Sequence, residues 1–138
     1  MSNKIKTVLI VGFGSIGRRH VKLIREIFPS INIIVLRHNK IDSSDAKIRG
    51  LTKFVDSVDH AIKLNPQVAI ISNPASKHIE IAKKLAKKGI NLLVEKPISN
   101  SPNGVKDLID ICYQNSVILM TGYNLRFLPS LIEFKKQV

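Results

Sequence analysis

Cysteine, tryptophan and acidic residues are scarce in this 138-residue chain: one Cys, no Trp, and 10 Asp plus Glu against 22 Lys plus Arg. A lone cysteine, Cys112, closes no intrachain disulfide, so a stapled miniprotein is excluded and a reducing, cytoplasmic home is expected. Set among Leu108, Ile109 and Ile111, it reads as a small buried hydrophobe in preference to a reactive thiol. No apolar run reaches the ~18 residues of a membrane span. Met1-Ser2-Asn3-Lys4-Ile5-Lys6 leads into a short apolar run and then glycines with no small-residue cleavage site, which does not read as a signal peptide. Neither a membrane nor a metal is therefore expected as a partner.

Aromatic residues make up only 5% of the chain and do not alternate with the basic ones, as a stacking platform for single strands requires. The net charge of +12 suits an anionic partner in general, and a phosphorylated small molecule is one such partner. Its densest run, Lys83-Lys84 and Lys87-Lys88, recurs at i and i+4 around Ala82, Leu85 and Ala86, which describes the wet face of an amphipathic helix. Nucleic acid is not the expected partner. With 44% apolar residues, the chain has hydrocarbon for the core of one domain.

Six short apolar runs alternate with segments of helical period. The strands are expected at residues 6–11, 31–36, 53–55, 68–71, 92–94 and 117–120. Between them, Ile16, Val21, Leu23, Ile24, Ile27 and Phe28 form one helical stripe ended by Pro29. Residues 39–50 read as a loop with a short helix, and residues 58–64 as a helix stopped before Pro66. Ser76 or a neighbour caps a helix running to Gly89. A further helix begins at Asn100-Ser101-Pro102 and turns Val105, Leu108, Ile109 and Cys112 inward. Residues 127–138 look helical again. Such alternation predicts an α/β fold with a parallel sheet covered on both faces, whose ligands bind off the carboxyl ends of its strands.

The informative residues stand at those ends. Gly12-Phe13-Gly14-Ser15-Ile16-Gly17 is a G-x-G-x-x-G between a predicted strand and a predicted helix. Gly12 allows the tight turn, Gly14 lets backbone approach a pyrophosphate, and Gly17 lets the helix pack on the strand. The helix N-terminus adds free N–H groups and the positive end of its dipole. Arg18 and Arg19 either add charge there or are solvated. About twenty residues on, where an acid would accept from an NAD ribose hydroxyl, stands Leu36-Arg37-His38-Asn39-Lys40, with no acid before Asp42. A guanidinium pairs with a 2′-phosphate, so Arg37 favours NADP; stacking of Arg37 on adenine leaves NAD open.

The next two strand ends carry Ser72-Asn73-Pro74-Ala75-Ser76-Lys77-His78 and Glu95-Lys96-Pro97. Asn73-Pro74 also reads as an ordinary turn, and His78 as a surface residue of a first helical turn. Lys96, just past an apolar strand, is poorly placed for a solvated charge, and a lysine that loses solvation can exchange protons near neutral pH. Together with Gly12-Phe13-Gly14-Ser15-Ile16-Gly17-Arg18-Arg19-His20 and Gly122-Tyr123-Asn124-Leu125-Arg126-Phe127, these segments resemble the N-terminal domain of the Gfo/Idh/MocA oxidoreductases, over essentially the whole chain and in the same order.

That resemblance implies a doubly wound (Rossmann) parallel sheet in a three-layer αβα arrangement over residues 1–122, with residues 123–138 starting the connection to a further domain. It implies that Gly12, Phe13, Gly14, Ser15 and Ile16 cradle a pyrophosphate and that Arg37 meets the adenosine ribose. Ser72, Asn73, Pro74 and His78 would line the nicotinamide-ribose side, with Asn124 and Arg126 at the nicotinamide end. Lys96 would touch both the nicotinamide ribose and the reacting hydroxyl, its place set by Glu95 and Pro97. The implied reaction moves hydride between nicotinamide and a sugar, cyclitol or nucleotide-sugar carbinol. Family members run to more than twice this length and carry a C-terminal α/β domain that forms the substrate wall and often an oligomer interface. A homo-oligomeric full-length protein is thus implied, as is a 138-residue piece that binds cofactor without turnover. The alternative is a module that senses NAD(P) or a nucleotide without chemistry.

Overall fold

The computed structural model describes residues 5–37 and 53–137; the loop expected at residues 39–50 lies outside them. Six strands, β1 (Thr7–Val11), β2 (Asn32–Leu36), β3 (Lys53–Val55), β4 (Val68–Ile71), β5 (Asn91–Val94) and β6 (Leu119–Thr121), form one sheet. All five pairings are parallel. The order is β3-β2-β1-β4-β5-β6, so the chain reverses direction across the sheet between β1 and β4. A crevice forms at such a reversal, outside the carboxyl ends of the strands.

The helices are α1 (Ser15–Ile27), α2 (Val58–Lys63), α3 (His78–Ala86), α4 (Val105–Gln114) and α5 (Pro129–Gln137). Residues of β1 alternate between two apolar clusters, as a pleat with period two requires. Leu9 and Val11 face a cluster completed by Ala61 of α2, Ile81 and Leu85 of α3, and Leu108 and Cys112 of α4. Val8 and Ile10 face a second cluster with Val21 of α1 and Phe13. This is the parallel sheet covered on both faces that the alternation predicts, in the doubly wound three-layer form that the resemblance implies. No helix of the described residues is long and apolar enough to cross a membrane.

The two faces are covered unequally, and the stripe expected along α1 is narrower than its sequence. Gly17 and Val21 are its buried residues, whereas Ile16, Leu23, Ile27 and Phe28 are exposed. Among the described elements, α1 is the one helix contributing to its cluster. In α5 no residue is buried.

The start of α4 also differs from expectation. The backbone turns through residues 101–104, and the helix begins only after Gly104, whose φ of 77° belongs to the left-handed region. A helix cannot run through that conformation, so Pro102 stands before it. Lys83 Nζ lies 2.9 Å from Asp107 Oδ2 across the α3–α4 contact and holds that exposed carboxyl below its ordinary range. Leu108 and Cys112, four apart, take the buried face, while Ile109 is turned 100° away and is 52% exposed. Leu108→Ala should cost about 2–5 kcal/mol, and Ile109→Ser no more than about 0.5 kcal/mol, read from urea midpoints.

Cys112 is buried, as expected, and burial pushes its thiol up. Less thiolate then exists at a given pH than for the same thiol in water. Native protein at pH 8 should react with a disulfide reagent far more slowly than protein in urea; equal rates would show the thiol to be accessible.

Candidate functional site

The turn from β1 into α1 is fixed by close backbone approaches. Gly12 has a φ of 91°, and a Cβ on it would come within 2.7 Å of Asn73 N and 2.8 Å of Asn73 Cα. No side chain fits there. A Cβ on Gly17 would meet the Gly12 carbonyl oxygen at 2.2 Å, so the first turn of α1 lies directly against the end of β1. Ser72 Oγ joins the same junction, donating to the carbonyls of Val11 and Gly12 at 3.1 and 3.2 Å. The hydroxyl expected to line a ribose therefore ties β4 to β1.

Gly14 behaves differently. Its φ of −76° is open to any residue, and a Cβ there would find nothing within 4 Å. It occupies the N-cap of α1 without a side-chain cap, and the first turn holds no acid. The early N–H groups of a helix lack helical partners, and here Ser15 and Ile16 are exposed around them. Phe13 is buried, its ring edge-on to Phe54 with centroids 5.5 Å apart and the Arg18 guanidinium 4.6 Å above it. Arg18 is thus held over an aromatic face.

A cavity of about 350 Å³ opens off this turn, lined among others by Gly12, Gly14, Arg37, Asn73, Pro74 and Lys77. Arg37 enters from the end of β2, its N–H donating to the Val55 carbonyl. Lys77, from the 3-10 turn Ala75–Lys77, adds a second cation that the sequence did not single out. Asn73 Oδ1 is buried without a hydrogen-bond partner among the described residues. Buried polar atoms are ordinarily satisfied, so this one calls for an explanation.

The β5 end forms a second group. Glu95 Oε1 lies 2.8 Å from His20 Nε2 of α1, and its Oε2 accepts from the Lys96 N–H at 3.3 Å. A Cβ on Gly122, just past β6, would meet Glu95 Oε2 at 3.1 Å, so the glycine makes room for the carboxylate. Glu95 therefore bridges α1, β5 and the end of β6. His20 is the partner that sequence reasoning missed; nothing in its spacing marks a residue 75 positions away.

Lys96 differs from expectation: it is exposed, so the desolvation argued from an apolar strand end is not present in these 138 residues. The Lys96–Pro97 peptide is cis. His78 also differs from a surface residue and from a ligand-facing one. It is 1% exposed, with Nε2 2.7 Å from the Asn73 carbonyl oxygen and Nδ1 3.1 Å from that of Pro97. Asn124 and Arg126 lie in the exposed 3-10 turn Asn124–Phe127, where Arg126 sits 5.6 Å over the Phe127 ring. The structure thus gathers Gly12, Phe13, Gly14, Arg37, Asn73 and Pro74 around one cavity, and joins Glu95 to Lys96 at the end of the neighbouring strand β5.

Comparison with known proteins agrees with this geometry. Residues 6–123 match the family described as "Oxidoreductase family, NAD-binding Rossmann fold". The rhizopine catabolism protein MocA of Rhizobium meliloti is 24% identical over 131 residues, covering 94% of this chain and 41% of that protein. Inositol 2-dehydrogenase of the same species (strain 1021) is 22% identical over 133 residues, 94% of this chain and 39% of that one. A crystal structure of scyllo-inositol dehydrogenase from Lactobacillus casei, with bound NAD(H) and scyllo-inositol, superposes with a TM-score of 0.84 at 19% identity. It covers 96% of this chain and 40% of that chain, and at that identity it shows the shared fold. The chain spans well under half the length of these relatives.

The His20–Glu95 contact is partly exposed, and a hydrogen bond to a charged group contributes about 1.5–3 kcal/mol before that exposure is discounted. His20→Ala should cost about 1 kcal/mol, and a cycle with Glu95→Gln should leave a coupling of about 0.5 kcal/mol or more. Additive single effects in urea unfolding would show that the contact contributes nothing.

Proposed function

The chain belongs to the Gfo/Idh/MocA family of oxidoreductases with an NAD-binding Rossmann fold, and from that premise we propose that residues 1–122 hold an NAD(P) dinucleotide along the β1–β4 crevice. The parent enzyme moves hydride between nicotinamide and the CH–OH group of a sugar, cyclitol or nucleotide sugar. Residues 123–138 begin the connection to the substrate-binding part, in keeping with an α5 that buries nothing here.

One observation carries the cofactor reading: Gly14 keeps space where a Cβ would stand, at the uncapped head of α1, beside the partnerless Asn73 Oδ1. An intramolecular reason exists for glycine at positions 12 and 17, and none at 14. Backbone N–H groups of Gly14, Ser15 and Ile16 would donate to a pyrophosphate, and the Asn73 amide would meet the adjoining ribose. Arg37 and Lys77 supply two cations to the cavity, and none of its lining among the described residues is acidic. That balance favours a 2′-phosphate, hence NADP over NAD.

The nicotinamide supplies the hydride chemistry. This chain's own contribution would be Lys96, placed by Glu95. A cation beside the hydroxyl oxygen lowers the cost of the negative charge left when the hydroxyl proton goes to a base of the substrate-binding part. Departure of hydride from the carbon then converts that alkoxide into the carbonyl. With Lys96 exposed and Asn124 and Arg126 solvated, the wall that would exclude water is missing from these residues. They therefore bind cofactor and turn over no carbinol.

Calorimetric titration with NADPH, NADH and adenosine 2′,5′-bisphosphate tests this. NADPH should bind about tenfold more tightly than NADH, a difference of about 1.4 kcal/mol, and Arg37→Asp should reverse the order. Gly14→Ala should leave the thermal midpoint almost unchanged and weaken every dinucleotide by about tenfold or more. Equal affinity for NADPH and NADH removes the NADP preference; undiminished binding by Gly14→Ala removes the crevice itself.

A further inference from the structure

The sequence places His78 either at the surface or, by the resemblance, against the cofactor. Its ring is instead enclosed, and both ring nitrogens lie at hydrogen-bond distance from backbone carbonyls, leaving no polar atom for a ligand. The two carbonyls are those of Asn73 and Pro97. They belong to the turns that leave β4 and β5, neighbouring strands in the sheet. Asn73 carries the partnerless amide oxygen, and Pro97 directly follows Lys96.

We propose that His78 is a positioning residue: a buried strut that sets the distance between the Asn73 turn and the Lys96-Pro97 turn, and so the width of the nicotinamide end of the crevice. This rests on the cofactor reading above and adds to it the residue that spaces its two sides. A rigid strut needs a rigid base, and His78 is the first residue of α3, whose Ile81, Ala82 and Leu85 are packed into the larger core cluster. The ring therefore cannot retreat without moving the helix. A neutral imidazole donates to one of the two carbonyls and meets the other by packing alone, whereas a doubly protonated ring donates to both. Backbone hydrogen bonding alone does not hold the two turns at this depth, because the strand ladder ends at Ile71 and Val94 and is followed by one Glu95 N–H to Ile71 O bond. Beyond it, His78 makes the bridge.

The test separates the two ends of the ligand in this 138-residue chain. Adenosine 2′,5′-bisphosphate occupies the Arg37 side alone, whereas NADPH reaches both. In the unaltered chain NADPH should bind more tightly than the bisphosphate. His78→Phe, which fills the volume without donating, should remove about tenfold of that gain, since small displacements of positioning groups have effects of this order or larger. Affinity for the bisphosphate should stay within about twofold, and His78→Gln should recover part of the loss. Equal weakening of both ligands by His78→Phe would mean that the residue only stabilises the fold and would overturn the proposal, as would unchanged NADPH binding. Failure of the unaltered chain to prefer NADPH over the bisphosphate would instead overturn the reading of the crevice. Should His78→Phe not fold, the unaltered chain decides: nitrogen-detected NMR should find a ring N–H of His78 exchanging slowly with water, and rapid exchange overturns the strut.

Discussion

The site depends on how closely the end of β1 approaches the end of β4. Asn73 backbone stands where a Cβ of Gly12 would be, the Gly12 carbonyl stands where a Cβ of Gly17 would be, and the Ser72 hydroxyl bridges the Val11 and Gly12 carbonyls. These contacts leave no latitude for side chains, so they set the direction in which α1 departs. Once α1 points that way, its uncapped first turn faces the crevice. Polarity in the crevice then follows from backbone geometry, and the side chains around it need only add charge.

A second constraint works at one remove. Glu95 is reached by His20 from α1 and is given room by Gly122 beyond β6, while its other oxygen takes the Lys96 N–H. The ammonium-bearing residue is thereby referred to the same helix whose N-terminus heads the crevice. Both ends of the proposed dinucleotide site share α1 as their frame, although neither Arg37 nor Lys96 belongs to it.

Much of this was legible because strand order and strand ends are written in local pattern. The run Thr7–Val11, the glycines after it and the alternation that follows specify a parallel sheet and its carboxyl edge without any knowledge of long-range contacts. What pattern could not convey was partnership. His20 and Glu95 are 75 positions apart, and His78 meets Pro97 across 19; nothing in either segment announces the other. Burial was misjudged for a related reason. Ile109, Leu23 and Ile27 have apolar side chains, but whether a helix flank is covered depends on which neighbours exist, and α1 is the one helix of its cluster among the described elements. The capping pair beside Pro102 matches a helix start that the left-handed turn at Gly104 displaces.

The same distinction between composition and placement applies to charge. An excess of 12 positive charges describes the chain as a whole, yet several of those cations are occupied in exposed pairs such as Lys84–Glu80 at 3.0 Å and Lys136–Glu133 at 3.1 Å. Pairs of this kind contribute about 0–1 kcal/mol and are weakened further by salt. Arg37 and Lys77 differ from these lysines in position, not in charge. They line a cavity with no acid among its described lining residues, at the mouth of a helix whose first turn also lacks one. There the backbone dipole and the two cations act in one direction on a shared small volume, and their effects on an anion reinforce each other. A basic protein of this composition without that convergence would attract polyanions weakly and everywhere. Convergence is what would turn the same excess of charge into the proposed site for one phosphorylated molecule.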